Sequence, residues 1–201
     1  MGLGLLGGSL NDIRYLAEQE AKLIVTDLKS EEDLVPSLEK LQEYKNITYV
    51  LGKHRVEDFG NTDLILEPGN VPNDSPYLAE ARKQNIPIYV SESLFAEHAK
   101  GVVLIGVTGT RGKSTVTHLI HHILQTAGKP THLGGNVRGI STLALLGQIQ
   151  EGDIVVLELD SWALHGMGEI GKSPHIAVFT NFLSDHMNYY DGDMQAYFDD
   201  K

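Results

Sequence analysis

Short hydrophobic runs alternate with longer amphipathic stretches along the chain. The hydrophobic runs predict strands at 23–27, 47–51, 63–66, 88–90, 102–107, 131–133, 153–160 and 176–180. Apolar residues at helical spacing predict helices at 10–21, 31–44, 91–100 and 114–127, and a further helix begins at Pro76. In the helix at 114–127, positions 119, 120, 123 and 124 have the spacing of a core-facing side. Strands that alternate with helices at short intervals indicate βα units, so we predict an α/β fold with parallel sheets.

The stretch GVTGTRGKST at residues 106–115 lies between a predicted strand and a predicted helix. A helix N-terminus directs backbone N–H groups at an anion, while Lys113 offsets phosphate charge and the Ser114 hydroxyl can hold Mg²⁺. The strict pattern G-x-x-x-x-G-K-[ST] requires glycine where the chain has Val107, and Gly106 stands one place early. The alternative is a turn that only joins strand to helix. We predict a nucleotide-phosphate site made by Thr108, Gly109, Thr110, Arg111, Gly112, Lys113, Ser114 and Thr115.

A second glycine-rich turn, G-x-G-x-x-G, opens the chain and includes Gly4. About twenty residues later a predicted strand ends in Asp27, where an acid can meet the ribose or base of a nucleotide. Asp27 is equally consistent with a turn or helix-cap residue. Gly69 and Asn70 follow another predicted strand, and their N–H groups can face a ligand phosphate or simply form a Pro-Gly turn.

The strand pattern restarts at Val102 after a connecting helix, which predicts two domains. We place the boundary within residues 93–100, so that residues 1–95 form a Rossmann-like domain with a parallel sheet. Residues 96–201 then form an α/β domain of the P-loop ATPase type. No strand-like run precedes the opening glycine turn, so we expect the first strand of the Rossmann-like domain to be missing.

Acidic and histidine side chains follow two strands of the second predicted domain. Glu158 and Asp160 lie at the end of the strand at 153–160, where a carboxylate beside a phosphate site commonly holds Mg²⁺. We expect one of the two to face the metal rather than both. His186 follows the strand at 176–180, as a metal ligand or as a helix cap. Asn136 follows a short strand and is at least a turn residue.

Composition narrows the range of functions. A net charge of −11 argues against a nucleic-acid binder that reads phosphates with a broad basic face. The absence of cysteine excludes disulfides, thiolate zinc sites and thiol nucleophiles, which fits a cytoplasmic protein. No hydrophobic run approaches the roughly 18 residues that span a bilayer. The 201 residues suffice for a sizeable core.

Three motifs in this order and spacing resemble the central ATPase domain of the Mur ligase family: GVTGTRGKST, LELDSWAL and TNFLSDHMNYY. The phosphate loop of that family has the form G-x-T-G-T-x-G-K-[ST], which accounts for the early glycine at Gly106. The family joins amino acids to a growing UDP-linked cell-wall peptide and includes folylpolyglutamate synthases. The glycine-rich start is most similar to the members that add D-glutamate to UDP-N-acetylmuramoyl-L-alanine.

The resemblance implies an ATP-dependent, ADP-forming amide-bond ligase of peptidoglycan synthesis that works through an acyl phosphate. It implies ATP with two Mg²⁺ ions, UDP-N-acetylmuramoyl-L-alanine and D-glutamate as substrates, and a cytoplasmic monomer without nucleic-acid or membrane partners. The C-terminal amino-acid-binding domain of the family has no counterpart here. We therefore expect a fragment that is weakly active or inactive. A non-catalytic nucleotide-binding module, another ligase of the family and a different phosphoryl-transfer enzyme remain alternatives.

The resemblance also assigns roles by position. Lys113 would bind the ATP phosphates, Ser114 and Glu158 would share one Mg²⁺, and His186 would reach the second. Lys201 stands where the family has a lysine carbamylated by CO₂. The implied catalytic set is Lys113, Glu158, His186 and Lys201, and the implied UDP-substrate set is Gly4, Asp27, Gly69 and Asn136. The chain departs from the family at Asp160, often serine, and at Ala163, often glutamine.

Overall fold

The computed structural model describes residues 1–5, 8–69, 71–72 and 74–201. The chain divides into two compact units, Met1–Tyr89 and Val90–Lys201. The division falls a few residues before the boundary that we placed from the sequence. Helix α5 (Ser91–His98) accounts for the difference, because it packs against helix α7 (Ser161–Glu169) of the second unit. Phe95 of α5 is fully buried there.

The first unit contains two small parallel sheets within its described residues. Strand β1 (Leu23–Asp27) pairs with β2 (Ile47–Leu51), and β3 (Ile65–Leu66) pairs with β4 (Ile88–Tyr89). The helices of this unit are α1 (Gly8–Glu18), α2 (Glu31–Leu38), α3 (Val56–Gly60) and α4 (Pro76–Lys83), with a 3-10 turn at Glu39–Leu41. Each sheet has its own apolar cluster: Leu3, Leu10, Val25, Leu34 and Leu41 beside β1, and Phe59, Ile65, Leu78 and Ala81 beside β3.

Among the described residues, no strand precedes α1. Instead, two backbone hydrogen bonds connect the chain start to the sheets. The Met1 amine donates to Leu66 O at 2.8 Å, and Gly2 N donates to Thr26 O at 2.7 Å. Leu6 and Gly7, which complete the predicted G-x-G-x-x-G turn, lie outside the described residues.

The second unit contains the strands β5 (Val103–Thr108), β6 (Thr131–Gly135), β7 (Ile154–Glu158) and β8 (Ile176–Phe179), and besides α5 and α7 the helices α6 (Lys113–Thr126) and α8 (Met194–Asp199), with a 3-10 turn at Leu143–Gly147. The strands form one parallel sheet with the order β6-β7-β5-β8. The central strands β5 and β7 are largely apolar, as is typical of parallel strands that helices cover. Val107 and Val156 of these strands are fully buried. The parallel sheets confirm the predicted α/β class.

One side of α6 packs on this sheet, through Val116, Ile120 and Leu124. Our prediction that positions 119 and 123 also face the core is wrong, because Leu119 and Ile123 are 54% and 55% exposed. Successive residues of a helix are turned by about 100°, so the stripe at 119 and 123 points past the sheet. In the part of the chain that the structure describes, no helix has both the length and the apolar character of a membrane span.

Candidate functional site

The stretch 106–115 forms a tight loop between β5 and α6. Gly109 and Gly112 have φ angles of +128° and +84°, which only glycine adopts without strain. A Cβ on Gly109 would collide with Thr180 Oγ1 and lie 2.9 Å from the backbone N and O of Asn181. The loop therefore requires glycine at the position where it passes the end of β8.

The N-terminus of α6 presents backbone donors at the end of this loop. The first intrahelical bond runs from Val116 N to Gly112 O at 3.0 Å. The amides of Lys113, Ser114 and Thr115 come before it, and helix geometry gives them no intrahelical acceptor. Three donors on a 14-residue helix form an anion-binding position.

Thr180 and Asn181, just beyond β8, hold the first part of the loop in place. Asn181 O accepts Thr110 N at 2.9 Å, and Asn181 Oδ1 accepts Arg111 N at 2.9 Å. Asn181 Nδ2 and Thr180 Oγ1 both donate to Arg111 O, at 3.0 and 2.6 Å. The amides of Thr110 and Arg111 are thus used within the protein, which leaves the helix N-terminus to face an anion. Our sequence analysis missed this role, although both residues lie in the TNFLSDH motif.

Two lysines converge on the loop. Lys113 Nζ donates to Gly109 O at 3.0 Å and to Thr110 O at 3.2 Å. Lys201 Nζ donates to the same Gly109 O at 3.2 Å and lies 4.8 Å above the ring of Tyr197. Burial, followed by the charge of Lys113, lowers the pKa of the Lys201 amine to about 8. The loop therefore has an ammonium group from α6 and a readily deprotonated amine from the end of α8.

Glu158 and Ser114 are hydrogen-bonded to each other beside the loop. Ser114 Oγ donates to Glu158 Oε1 at 3.1 Å, and Glu158 is only 5% exposed at the end of β7. Asn136 lies next to this pair, since its N donates to Glu158 O at 2.8 Å. Asp160 instead caps α7 by accepting Ala163 N at 2.8 Å. A hydroxyl and a carboxylate fit a hard divalent cation, and of the two acids it is Glu158 that faces the loop.

His186 lies among aromatic rings. Its ring centroid is 4.8 Å from that of Trp162 and 6.3 Å from that of Tyr197. Within the described ranges, no group of three or more histidine, aspartate or glutamate side chains is placed to hold a metal ion. The metal role of His186 stays a prediction. Through Tyr197, His186 is nevertheless linked to Lys201 and the loop.

The candidate residues of the first unit surround the end of β1. Asp27, 8% exposed, accepts Gly4 N at 3.0 Å through Oδ2 and Lys29 N at 2.9 Å through Oδ1. Both carboxylate oxygens therefore brace the turn. Gly69 continues the turn at Pro68, whose Cγ would lie 3.0 Å from a Cβ on Gly2. Ligand binding by Gly4, Asp27 and Gly69 stays a prediction, and Asn70 lies outside the described residues.

A parallel α/β sheet with a glycine loop, a Lys-Ser helix start and a facing carboxylate defines a nucleotide-binding class of protein. Two family models identify the branch. The model of the MurD-like N-terminal domain of Mur ligases matches residues 1–90, and the Mur ligase middle domain matches residues 107–201. The chain belongs to the Mur ligase family, which confirms the resemblance carried by the three motifs.

Similar proteins include several named UDP-N-acetylmuramoylalanine--D-glutamate ligase. That of Borreliella burgdorferi (strain ZS7) is 41% identical over 192 residues, or 94% of this chain and 41% of the relative. That of Roseiflexus sp. (strain RS-1) is 42% identical over 98% of this chain and 41% of the relative. That of Treponema pallidum (strain Nichols) is 34% identical over 100% of this chain and 40% of the relative. The chain thus spans about 41% of the length of the first of these relatives.

Proposed function

We propose that this chain supplies the ATP-binding and UDP-substrate-binding parts of an ADP-forming ligase. The ligase would add D-glutamate to UDP-N-acetylmuramoyl-L-alanine in peptidoglycan synthesis, in the cytoplasm. The names of the similar proteins support the substrates. The observation that carries the proposal is the convergence of Lys113, Ser114 and Glu158 at the carboxyl edge of one parallel sheet.

In the proposed reaction, the substrate carboxylate attacks the γ-phosphorus of ATP, and the bond to the β-phosphate oxygen breaks to release ADP. The amine of D-glutamate then attacks the acyl carbon, loses a proton, and phosphate leaves. Two anions must approach each other in the first step. Lys113 and the first-turn amides of α6 are placed to offset that repulsion, and such preorganised charge is the main source of catalysis in phosphoryl transfer.

Ser114 and Glu158 would hold Mg²⁺, which when bound neutralises phosphate charge. We propose His186 as a contact to a second ion. Lys201 is the candidate for carbamylation, because its amine already lies at the loop and its pKa of about 8 leaves a fraction unprotonated near neutral pH. Buried lysines with lowered pKa values are suited to such chemistry.

For the UDP substrate, Asn136 is the candidate beside the ATP site, since it adjoins Glu158. Gly4, Asp27 and Gly69 are the candidates in the first unit. We further propose that the chain is a monomer that binds neither nucleic acid nor membrane, in keeping with its net charge of −11.

Isothermal titration calorimetry with ATP, with and without Mg²⁺ and UDP-N-acetylmuramoyl-L-alanine, tests the proposal. We expect Mg²⁺-dependent ATP binding that is lost in Ser114→Ala combined with Glu158→Gln. An ATP affinity that changes neither with Mg²⁺ nor with these substitutions would contradict the assignment. Because the chain covers 41% of its relatives, we expect little ligation of D-glutamate by this chain alone. A pure nucleotide-binding module would bind ATP but not the UDP-sugar.

A further inference from the structure

Asp200 precedes Lys201 in the chain, and its carboxylate is bonded to two other residues. Its Oδ1 lies 2.8 Å from His165 Nδ1, and its Oδ2 accepts the Tyr190 hydroxyl at 2.8 Å. A carboxylate can only accept, so His165 carries a proton on Nδ1. His165 belongs to α7, and Tyr190 is 8% exposed between β8 and α8. Both oxygens of Asp200 are therefore held by two different parts of the second unit.

The Lys201 amine has its hydrogen bonds at the loop. A free carboxylate one residue away would be a strong partner for the ammonium group and would keep it protonated. With Asp200 engaged, Lys201 Nζ lies instead at Gly109 O, 3.2 Å, and at Thr108 Oγ1, 3.5 Å. The Tyr197 ring below the amine completes the position at 4.8 Å.

We propose that His165 and Tyr190 are positioning residues that hold Asp200 and thereby direct the Lys201 amine to the phosphate loop. The importance of this arrangement for catalysis rests on the proposed function. Both residues contact Asp200, and they act on Lys201 through it. We call His165, Tyr190 and Asp200 the Asp200 clamp.

The charges around the clamp agree with this arrangement. Burial raises the pKa of the Tyr190 hydroxyl, so it stays a donor to Asp200. His165 also faces Glu169, with Nε2 and Oε1 3.7 Å apart, so acidic groups lie on both sides of its ring. Lys201 is surrounded by Lys113, Asp160, Asp185 and Asp200. Of these, Asp200 is the carboxylate whose two oxygens are bonded by His165 and Tyr190.

The reactivity of the Lys201 amine measures its position directly. The full chain is treated with a limiting amount of an acetyl N-hydroxysuccinimide ester from pH 6.5 to 10, and acetylation of Lys201 is followed by peptide mass spectrometry. In the unchanged protein we expect half-maximal reactivity near pH 8. In His165→Ala, Asp200 keeps only its contact with Tyr190, so Oδ1 can pair with Lys201 and we expect about tenfold slower acetylation at pH 8. Tyr190→Phe removes the other contact, at Oδ2, and should slow acetylation in the same direction.

Conservative and matched variants separate positioning from a general loss of structure. An asparagine amide can replace the Nδ1 donor, so His165→Asn should restore most of the Lys201 reactivity. His122→Ala removes an exposed helical histidine and should change nothing. Unchanged Lys201 reactivity in folded His165→Ala overturns the proposal. If His165→Ala does not fold by circular dichroism, Tyr190→Phe decides the matter, and unchanged reactivity there overturns it.

Acetylation requires no nucleotide, so its outcome is independent of ATP binding. If Lys201 acetylation depends on the Asp200 clamp but the chain does not bind ATP, the proposed function is wrong and the positioning role of the clamp still holds. If ATP binding depends on Mg²⁺ but Lys201 acetylation does not depend on the clamp, the proposed function is supported and the positioning role of the clamp is wrong.

Discussion

Two glycine-rich turns, one in each unit, have similar sequences and different surroundings. In the loop at 106–115, Asn181 accepts the Thr110 and Arg111 amides, and the lysine, serine and facing Glu158 converge beyond them. In the turn that contains Gly4, the nearby acid Asp27 is itself bonded by two backbone amides. Glycine spacing alone therefore predicts a turn. Whether such a turn can bind a ligand depends on the hydrogen-bond partners of the neighbouring polar groups.

The largest expected difference between the two turns is their tolerance of a Cβ. Gly109→Ala places a methyl group against Thr180 Oγ1 and the Asn181 backbone, at a φ of +128°. We expect it to lower the free energy of unfolding of the second unit by about 3 kcal/mol or more. Gly4→Ala meets nothing within 4 Å at a φ of +62° and should cost about 1 kcal/mol.

Urea unfolding monitored by the fluorescence of Trp162 reports on the second unit, because the chain has a single tryptophan. Hydrogen exchange of the β1–β2 amides reports on the first. Equal costs for the two substitutions would show that the loop at 106–115 is no more constrained than the turn at Gly4.

Lys113→Ala separates the two turns by ligand binding. The Lys113 ammonium lies at the loop carbonyls where phosphate charge would be offset, so we expect ATP affinity to fall by about 100-fold, measured by calorimetry. Stability should change little, because the side chain is only partly buried. Lys29→Ala, an exposed lysine beside the first turn, should leave ATP affinity unchanged. A similar loss in both variants would indicate a non-specific charge effect.

Asp27→Ala tests the turn of the first unit. It leaves the amides of Gly4 and Lys29 without their acceptor, and we expect a loss of about 1–3 kcal/mol in the stability of that unit, seen as faster hydrogen exchange in β1. ATP binding should be unaffected. Asp33→Ala serves as the control with a smaller loss, because Asp33 lies in the exposed first turn of α2, where it accepts the hydroxyl of the N-cap residue Ser30. If Asp27→Ala weakened ATP binding instead, the bracing role would not describe this residue fully.

The elements that the sequence predicted best are those with strong local patterns. Strands 23–27 and 47–51 have the predicted bounds, since their runs of β-branched residues end at turns. Helix α7 was missed because Gly166 and Gly168 weaken its helical pattern. The predicted helix at 31–44 ends at Leu38 and continues as a 3-10 turn. The local sequence therefore predicts where a helix begins more reliably than where it ends.

The candidate site divides in the same way. The placement of Lys113, Ser114 and Glu158 beside one loop follows from their positions at a strand end and a helix start, while their ligand roles stay predictions. The roles of Asn181 and Asp200 depend on pairings across roughly 70 and 35 residues, which one sequence does not show. For Asp27, the local pattern predicted its place at the end of a strand but not its hydrogen-bond partners. Those partners are the amides of Gly4 and Lys29, which only the folded structure shows.

The smallest expected effect lies at the opposite, amino edge of the second sheet, where His132 Nε2 meets Asp153 Oδ2 at 2.7 Å. The Gln150 amide, and then His132, hold the pKa of Asp153 below its ordinary 3.8. A carboxyl with a lowered folded-state pKa stabilises the fold above pH 3.8 and loses that contribution as pH falls through the folded pKa. We expect Asp153→Asn to flatten the decline of the urea midpoint as the pH falls below 3.8, while the exposed-site control Asp63→Asn keeps it. Because this pair is remote from the loop at 106–115, ATP affinity at pH 7.5 should not change. A changed affinity would mean that the two edges of the sheet are coupled, and the carboxyl edge could no longer be treated as a self-contained site.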